Sequence, residues 1–255
     1  MRRRTMIATG LCTVLIAAGP QIAHAAEIKL ICAGAMRSVV SALAESFAQE
    51  SGHQVKGTFG TMGVVRQKLA TEPVDVVVAS DTALDEMIKQ GAVSGPRTDL
   101  ARTGIGVGVR DGAPKPDIST PDAFKQTLLA AKSLVYVDPA QGATSGIHFA
   151  GVLQRLGIAD AVKGKTILWP GGYAAEAVAK GDAEIVVHQI SEILPVKGVT
   201  LVGPLPKDLQ KITVYSAGLA AKSTATDAAK TFITYLSNPA AKAKFAAAGL
   251  DYKEN

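Results

Sequence analysis

The chain has 255 residues, of which 47% are hydrophobic and 19% charged. Such a composition buries a sizeable core and excludes a disordered chain, and the length fits one large domain or two small ones. The formal net charge of +5 overstates how basic the folded part is, because three arginines stand at the extreme N-terminus.

Arg2, Arg3 and Arg4 form a basic segment, residues 6–19 an apolar one, and Ala23-His24-Ala25 a small-x-small exit. This is the order of a signal peptide, with cleavage expected after Ala25 and export of the rest. The apolar run is too short for a membrane span. Without those arginines the 27 basic residues fall to 24 against 22 acidic ones, a net charge of about +2. No basic stripe with interleaved aromatics occurs, so nucleic acid is not an expected partner. Cys12 lies in the leader, which leaves Cys32 alone, unable to form an intrachain disulfide. Within an apolar strand it reads as a buried, inert thiol.

The periodicity predicts a strand over 28–32, a helix over 38–49, a strand over 53–59 and a helix over 62–71. A strand over 74–79 is apolar throughout, as expected when both faces are buried. A helix over 82–90 closes at Gly91. This βα alternation predicts an open, mostly parallel sheet flanked by helices. A strand over 105–110 then leads into the turn Asp111-Gly112-Ala113-Pro114. A second αβ unit follows: helix 120–131, strand 134–137, helix 146–156, strand 166–169, helix 174–180 and strand 185–189. A strand beginning near Lys211 and helices over 226–236 and 239–248 end the chain, with Asn238-Pro239 between the helices. The expected architecture is α/β with two lobes. Residues 26–107 and 217–255 form the first and 108–216 the second, with a cleft between them.

Ligands of open α/β sheets bind beyond the carboxyl ends of strands. Four such ends carry polar or glycine-rich loops, at 34–38, 60–63, 142–146 and 170–173. The richest is the stretch L-V-Y-V-D-P-A-Q-G-A-T-S-G-I-H-F from Leu134 to Phe149. A strand there runs into a short loop and then a helix start, whose free N–H groups and dipole suit an anion. Thr144, Ser145 and Gly146 are its candidate contacts, against the alternative of an ordinary capped helix start. Gly171, Gly172 and Tyr173 form a second nest of N–H groups, or a plain turn after Pro170.

These loops, in this order, resemble the type II periplasmic binding proteins, above all the molybdate-binding component of ABC transporters. The resemblance spans nearly the whole exported chain. It is carried by A-G-A-M-R-S at 33–38, T-F-G-T-M-G at 58–63, D-V-V-V-A-S-D at 75–81, D-P-A-Q-G-A-T-S-G at 138–146 and S-N-P-A-A-K-A-K-F at 237–245. It implies a monomeric periplasmic protein that holds a small anion without a cofactor and docks on a membrane permease. The chain departs from that family at the ligand. Ala35 stands where molybdate binders offer a serine hydroxyl, Thr61 and Met62 stand at a second serine position, and His188 stands where a tyrosine is expected.

Other residues suit a carboxylate. Arg37 and Arg66 follow the first two ligand loops, and guanidinium groups bind carboxylates bidentately; the alternative is two solvated arginines. Gln189 lies beside His188 at the end of a buried strand. Exported aconitate isomerases resemble the same family, and they need carboxylate clamps and a proton carrier. His188 and His148 are the candidates for that carrier. Asp81, Glu176 and Glu192 could orient ligand or lobes, or be solvated charges. No Cys/His cluster with metal-ligand spacing is present.

Overall fold

The computed structural model describes residues 25–252. The expected signal peptide therefore lies outside the described residues except for Ala25. None of the described helices is long and apolar enough to cross a membrane.

The first sheet is built by β1 (Glu27–Ala33), β2 (Gln54–Gly60), β3 (Val76–Ser80), β4 (Val93–Thr103) and β10 (Thr213–Ala220), in the order β2-β1-β3-β10-β4. The second contains β5 (Ile105–Arg110), β6 (Leu134–Val137), β7 (Thr166–Trp169), β8 (Ile185–Gln189) and β9 (Val199–Pro204), in the order β7-β6-β8-β5-β9. Both repeat one pattern. Three strands run parallel, and the strand that has crossed from the other lobe runs against them: β10 against β3 and β4, β5 against β8 and β9. The strand Val-Val-Val-Ala-Ser of β3 is buried at every position, as a central strand covered on both faces must be.

Helices α1 (Arg37–Ser51), α2 (Met62–Thr71) and α3 (Asp81–Lys89) cover the first sheet, together with α9 (Thr226–Ser237) and α10 (Pro239–Ala247). Around the second are α4 (Pro121–Ala130), α5 (Thr144–Arg155), α6 (Ala159–Lys163), α7 (Ala175–Lys180) and α8 (Ile190–Ile193). Their ends follow local chemistry. The Thr120 side chain accepts from Ala123 N–H with Pro121 in the first turn, and Asn238 does the same for Ala241 N–H ahead of Pro239. Gly52, at φ 76°, supplies the left-handed residue that stops α1. Each sheet has its own core. Phe47, Phe232 and Phe245 pack in the first lobe; Phe124 and Phe149 on one face of the second sheet, Val178 and Ile193 on the other.

The crossings lie a few residues from their expected places near Val107 and Ser216. β5 and β10 each belong whole to one sheet, so the chain passes over at Gly104 and returns between Pro204 and Thr213. Gln210 ties the two crossovers together. Its Oε1 accepts from Ile105 N–H at 2.8 Å and its Nε2 donates to the Ile105 carbonyl at 2.9 Å. Four elements have no counterpart in the sequence expectation: β4, α6, α8 and β9. In β4 the Ser94-Gly95-Pro96 step looks like a turn, but proline is tolerated on an edge strand, and β4 is one.

Candidate functional site

A cavity of about 240 Å³ lies between the sheets, beyond the carboxyl ends of β1, β2, β6 and β8. Its size suits a small anion.

Helix starts and glycine-rich turns line it from several sides. The 3₁₀ turn Gly34–Met36 leads directly into α1, and neither has a side-chain cap. The N-cap of α5 is Ala143, which has no side-chain oxygen to satisfy the first N–H groups of the helix. The cavity is lined there by Ala143, Thr144 and Ser145. Thr61 caps α2, its Oγ1 accepting from Val64 N–H at 3.3 Å, which leaves the hydroxyl proton free for another acceptor. Gly171 and Gly172 line the cavity from the loop after β7.

Only one of the two candidate arginines lines the cavity, and it too is solvent-exposed. Arg37 lines it, with Nη2 donating to the Phe59 carbonyl at 3.2 Å and the guanidinium 5.4 Å from the centre of the Phe59 ring. That cation–π stack and hydrogen bond hold a positive charge at the site. Arg66 does not line it; its Nη2 pairs with Glu86 Oε2 at 2.9 Å, both side chains at least half exposed. Arg66 is exposed one turn further along α2 than Met62, which does line the cavity, and its pairing with Glu86 of α3 holds it outside.

The histidines also separate. His188 is buried and lines the cavity. Its Nδ1 accepts from Gln189 N–H at 2.8 Å, with Ser145 Oγ at 3.2 Å, and its Nε2 lies 3.1 Å from the Gly172 carbonyl. A backbone N–H donating to Nδ1 assigns the ring proton to Nε2, which donates to Gly172. Glu192, only 6% exposed, places Oε2 3.3 Å from the same Nδ1. Burial pushes the Glu192 carboxyl above its ordinary range, against the opposing pull of His188 and Arg37. His148 does not line the cavity. Its Nε2 meets the Leu209 carbonyl at 2.8 Å, tying α5 to the 3₁₀ turn Lys207–Leu209, and burial lowers its pKa.

Ala35, Thr61, Met62 and Gln189 line the cavity as well. Gln189 Nε2 donates to Tyr215 Oη at 3.4 Å and Thr213 Oγ1 at 3.5 Å. Gly146 does not line it. A side-chain carbon there would lie 2.0 Å from the Val137 carbonyl oxygen, so this glycine lets α5 start hard against β6. Tyr173 stands just outside the lining, within electrostatic reach of Arg37 and Glu192. Sequence reasoning missed Phe59 and Tyr215 and left Glu192 undecided. A glutamate inside the apolar run I-V-V-H-Q-I-S-E-I was the available signal.

The profile described as "Bacterial extracellular solute-binding protein" matches residues 28–251. The chain belongs to that family. It is 34% identical to the aconitate isomerase of Pseudomonas sp over 240 residues, covering 91% of this chain and 88% of the relative. It is 29% identical to the molybdate-binding protein of Azotobacter vinelandii over 229 residues, covering 86% and 87%. The periplasmic molybdate-binding protein structure from Azotobacter vinelandii superposes with a TM-score of 0.73 at 21% identity, covering 89% of this chain and all of that one. This solute-binding protein therefore has the two-lobed type II periplasmic binding protein fold, with its inter-lobe cavity at the helix starts.

Proposed function

We propose that this exported solute-binding protein captures a small carboxylate anion in the periplasm, between its lobes, and delivers it to an ABC permease. Cleavage after Ala25 would release the mature chain. The observation that carries the ligand class is Arg37, a guanidinium held over Phe59 within a cavity otherwise lined by helix starts and glycine-rich turns. A planar fork of N–H groups matches a carboxylate. Ala35, Met62 and His188 line the same cavity where the resemblance to molybdate binders calls for hydroxyl donors.

A thermal-shift screen of residues 26–255 tests this with molybdate, tungstate, sulfate, citrate, cis-aconitate and trans-aconitate. A ligand that binds only the folded state raises the melting temperature by mass action. Tricarboxylates are expected to raise it and the oxyanions not. A shift with molybdate or tungstate alone would reject the carboxylate reading.

A second reading is supported by the buried His188–Glu192 pair in the cavity and by the relative named aconitate isomerase. In that reaction a proton leaves the carbon at one end of a three-carbon allylic unit. The electron pair delocalises, the double bond moves, and a proton returns at the other end. Arg37 would clamp a carboxylate and His188 carry the proton. Interconversion of cis- and trans-aconitate by the wild type, lost in His188→Ala, is the result this reading requires. A wild type that binds aconitate and returns it unchanged is a receptor only.

A further inference from the structure

The surroundings of Glu192 raise a question of charge. Its Oε2 lies 3.3 Å from His188 Nδ1, and that nitrogen already accepts a 2.8 Å hydrogen bond from Gln189 N–H. A carboxylate oxygen and an imidazole lone pair at that distance are two acceptors facing each other, both on residues that are largely buried. A proton on Nδ1 would instead point at the Gln189 N–H. A proton on Glu192 removes the repulsion between the two acceptors, the acid O–H then sharing the Nδ1 lone pair with the Gln189 N–H. The other carboxyl oxygen is pressed across the lobe boundary. A side-chain carbon on Gly34 would lie 2.9 Å from Oε1, so the glycine leaves room for this carboxyl group.

The remaining charged and titratable groups around Glu192 leave the same balance. Arg37, at the start of α1, supplies the cavity's positive charge. Tyr215 on β10 and Tyr173 before α7 are kept neutral by burial, as is Cys32 on β1 behind Tyr215. Asp81 and Glu176 act on those tyrosines from further away. The turn Gly34–Met36 and β9 carry no titratable side chain, and Arg110, at the end of β5, bonds the Ala179 carbonyl. An ionised Glu192 would offset the charge of Arg37 and leave only neutral backbone and hydroxyl donors to attract an anion.

We infer that Glu192 and His188 hold one proton between them as a neutral pair, and that anion capture depends on this proton because it leaves the charge of Arg37 uncancelled. This rests on the reading of the cleft as a carboxylate site. Glu192 is thus a positioning residue, acting through His188 and Arg37. Losing the proton puts a negative charge beside the anion, so affinity falls as pH rises and Glu192 ionises, by up to about tenfold per pH unit.

Two measurements on the mature protein test it. The first is infrared spectroscopy without ligand from pH 7 to 9, where surface carboxylates are ionised. A protonated-carboxyl band present in the wild type at pH 7 and missing from Glu192→Gln is expected; no such difference overturns the inference. The second is calorimetric titration with trans-aconitate from pH 7 to 9, where the ligand's own carboxyl groups stay ionised. Wild-type affinity is expected to fall with pH, and that of Glu192→Gln, whose amide donates as the acid does, to stay level. A wild-type affinity that does not follow the loss of the acid band over this range, or a variant that keeps the wild-type slope, overturns the inference. If trans-aconitate binds neither protein while the acid band is present, the carboxylate reading of the cleft fails and the proton assignment stands.

Discussion

At the scale of single residues, two arginines that look alike in sequence part company. Arg37 follows the 3₁₀ turn at the end of β1 and comes to rest over Phe59 in the cavity. Arg66 is one turn into α2 and exposed, where Glu86 receives it. A hydrogen bond to a charged group contributes about 1.5–3 kcal/mol, so Arg37→Ala is expected to weaken binding of a tricarboxylate by about tenfold to a hundredfold. Arg66→Ala should leave affinity unchanged, since exposed ion pairs contribute about 0–1 kcal/mol and this one is remote from the cavity. Calorimetric titration of both variants separates the outcomes. Equal losses in the two would show that net charge, and not the placement of Arg37, governs binding.

Among elements, the strand ends of the first lobe are held by a buried carboxylate. Asp75, just ahead of β3, is 1% exposed. Its Oδ2 accepts from Lys29 N–H on β1 at 2.8 Å. Its Oδ1 accepts from Ser223 Oγ at 2.8 Å, Thr224 N–H at 2.9 Å and Ala225 N–H at 3.1 Å, at the start of α9. Burial alone would raise its pKa, but these four hydrogen bonds prevail and lower it. A lowered pKa stabilises the fold above the unfolded-state value of about 4, and that contribution is lost as pH falls through the folded value. Asp75→Asn keeps one acceptor and loses the other, at a cost of about 1.5–3 kcal/mol. At neutral pH the melting temperature should drop by roughly 3–12 °C for a chain of this size. The gap to wild type should narrow below about pH 4, as Asp75 itself becomes protonated. A gap that widens in acid would exclude this role for Asp75.

For the molecule as a whole, the lobes meet through glycines. A side-chain carbon on Gly63, in the first turn of α2, would lie 2.5 Å from the Gln141 carbonyl oxygen of the other lobe, and one on Gly142 would lie 3.0 Å from Gly63 N. Backbone therefore meets backbone where the lobes close over the cavity. Gly63→Ala should hinder that closure while suiting the helix itself. The expected result is at least a tenfold loss of ligand affinity by calorimetry. A variant that binds normally would mean that the lobes need not approach this closely to hold ligand.

The chain's own pattern determined the alternating strands and helices, because apolar periodicity and capping residues act within a few positions. Strands over 105–110, 134–137, 166–169 and 185–189 are where periodicity puts them. The glycine-rich strand ends were legible for the same local reason, and the resemblance followed from their order. Edge strand β4 was not legible, since its proline is permitted only by a position in the sheet that no local signal reports. Nor were the contents of the cavity. Phe59 and Tyr215 stand 156 positions apart in the chain, and Glu192 has a meaning only beside His188 and Gly34. Which arginine lines the cavity, and which carboxyl group is desolvated, depend on how two lobes pack across two crossovers. Charge and burial at such a boundary are set by groups distant in sequence, so the tertiary structure alone decided them.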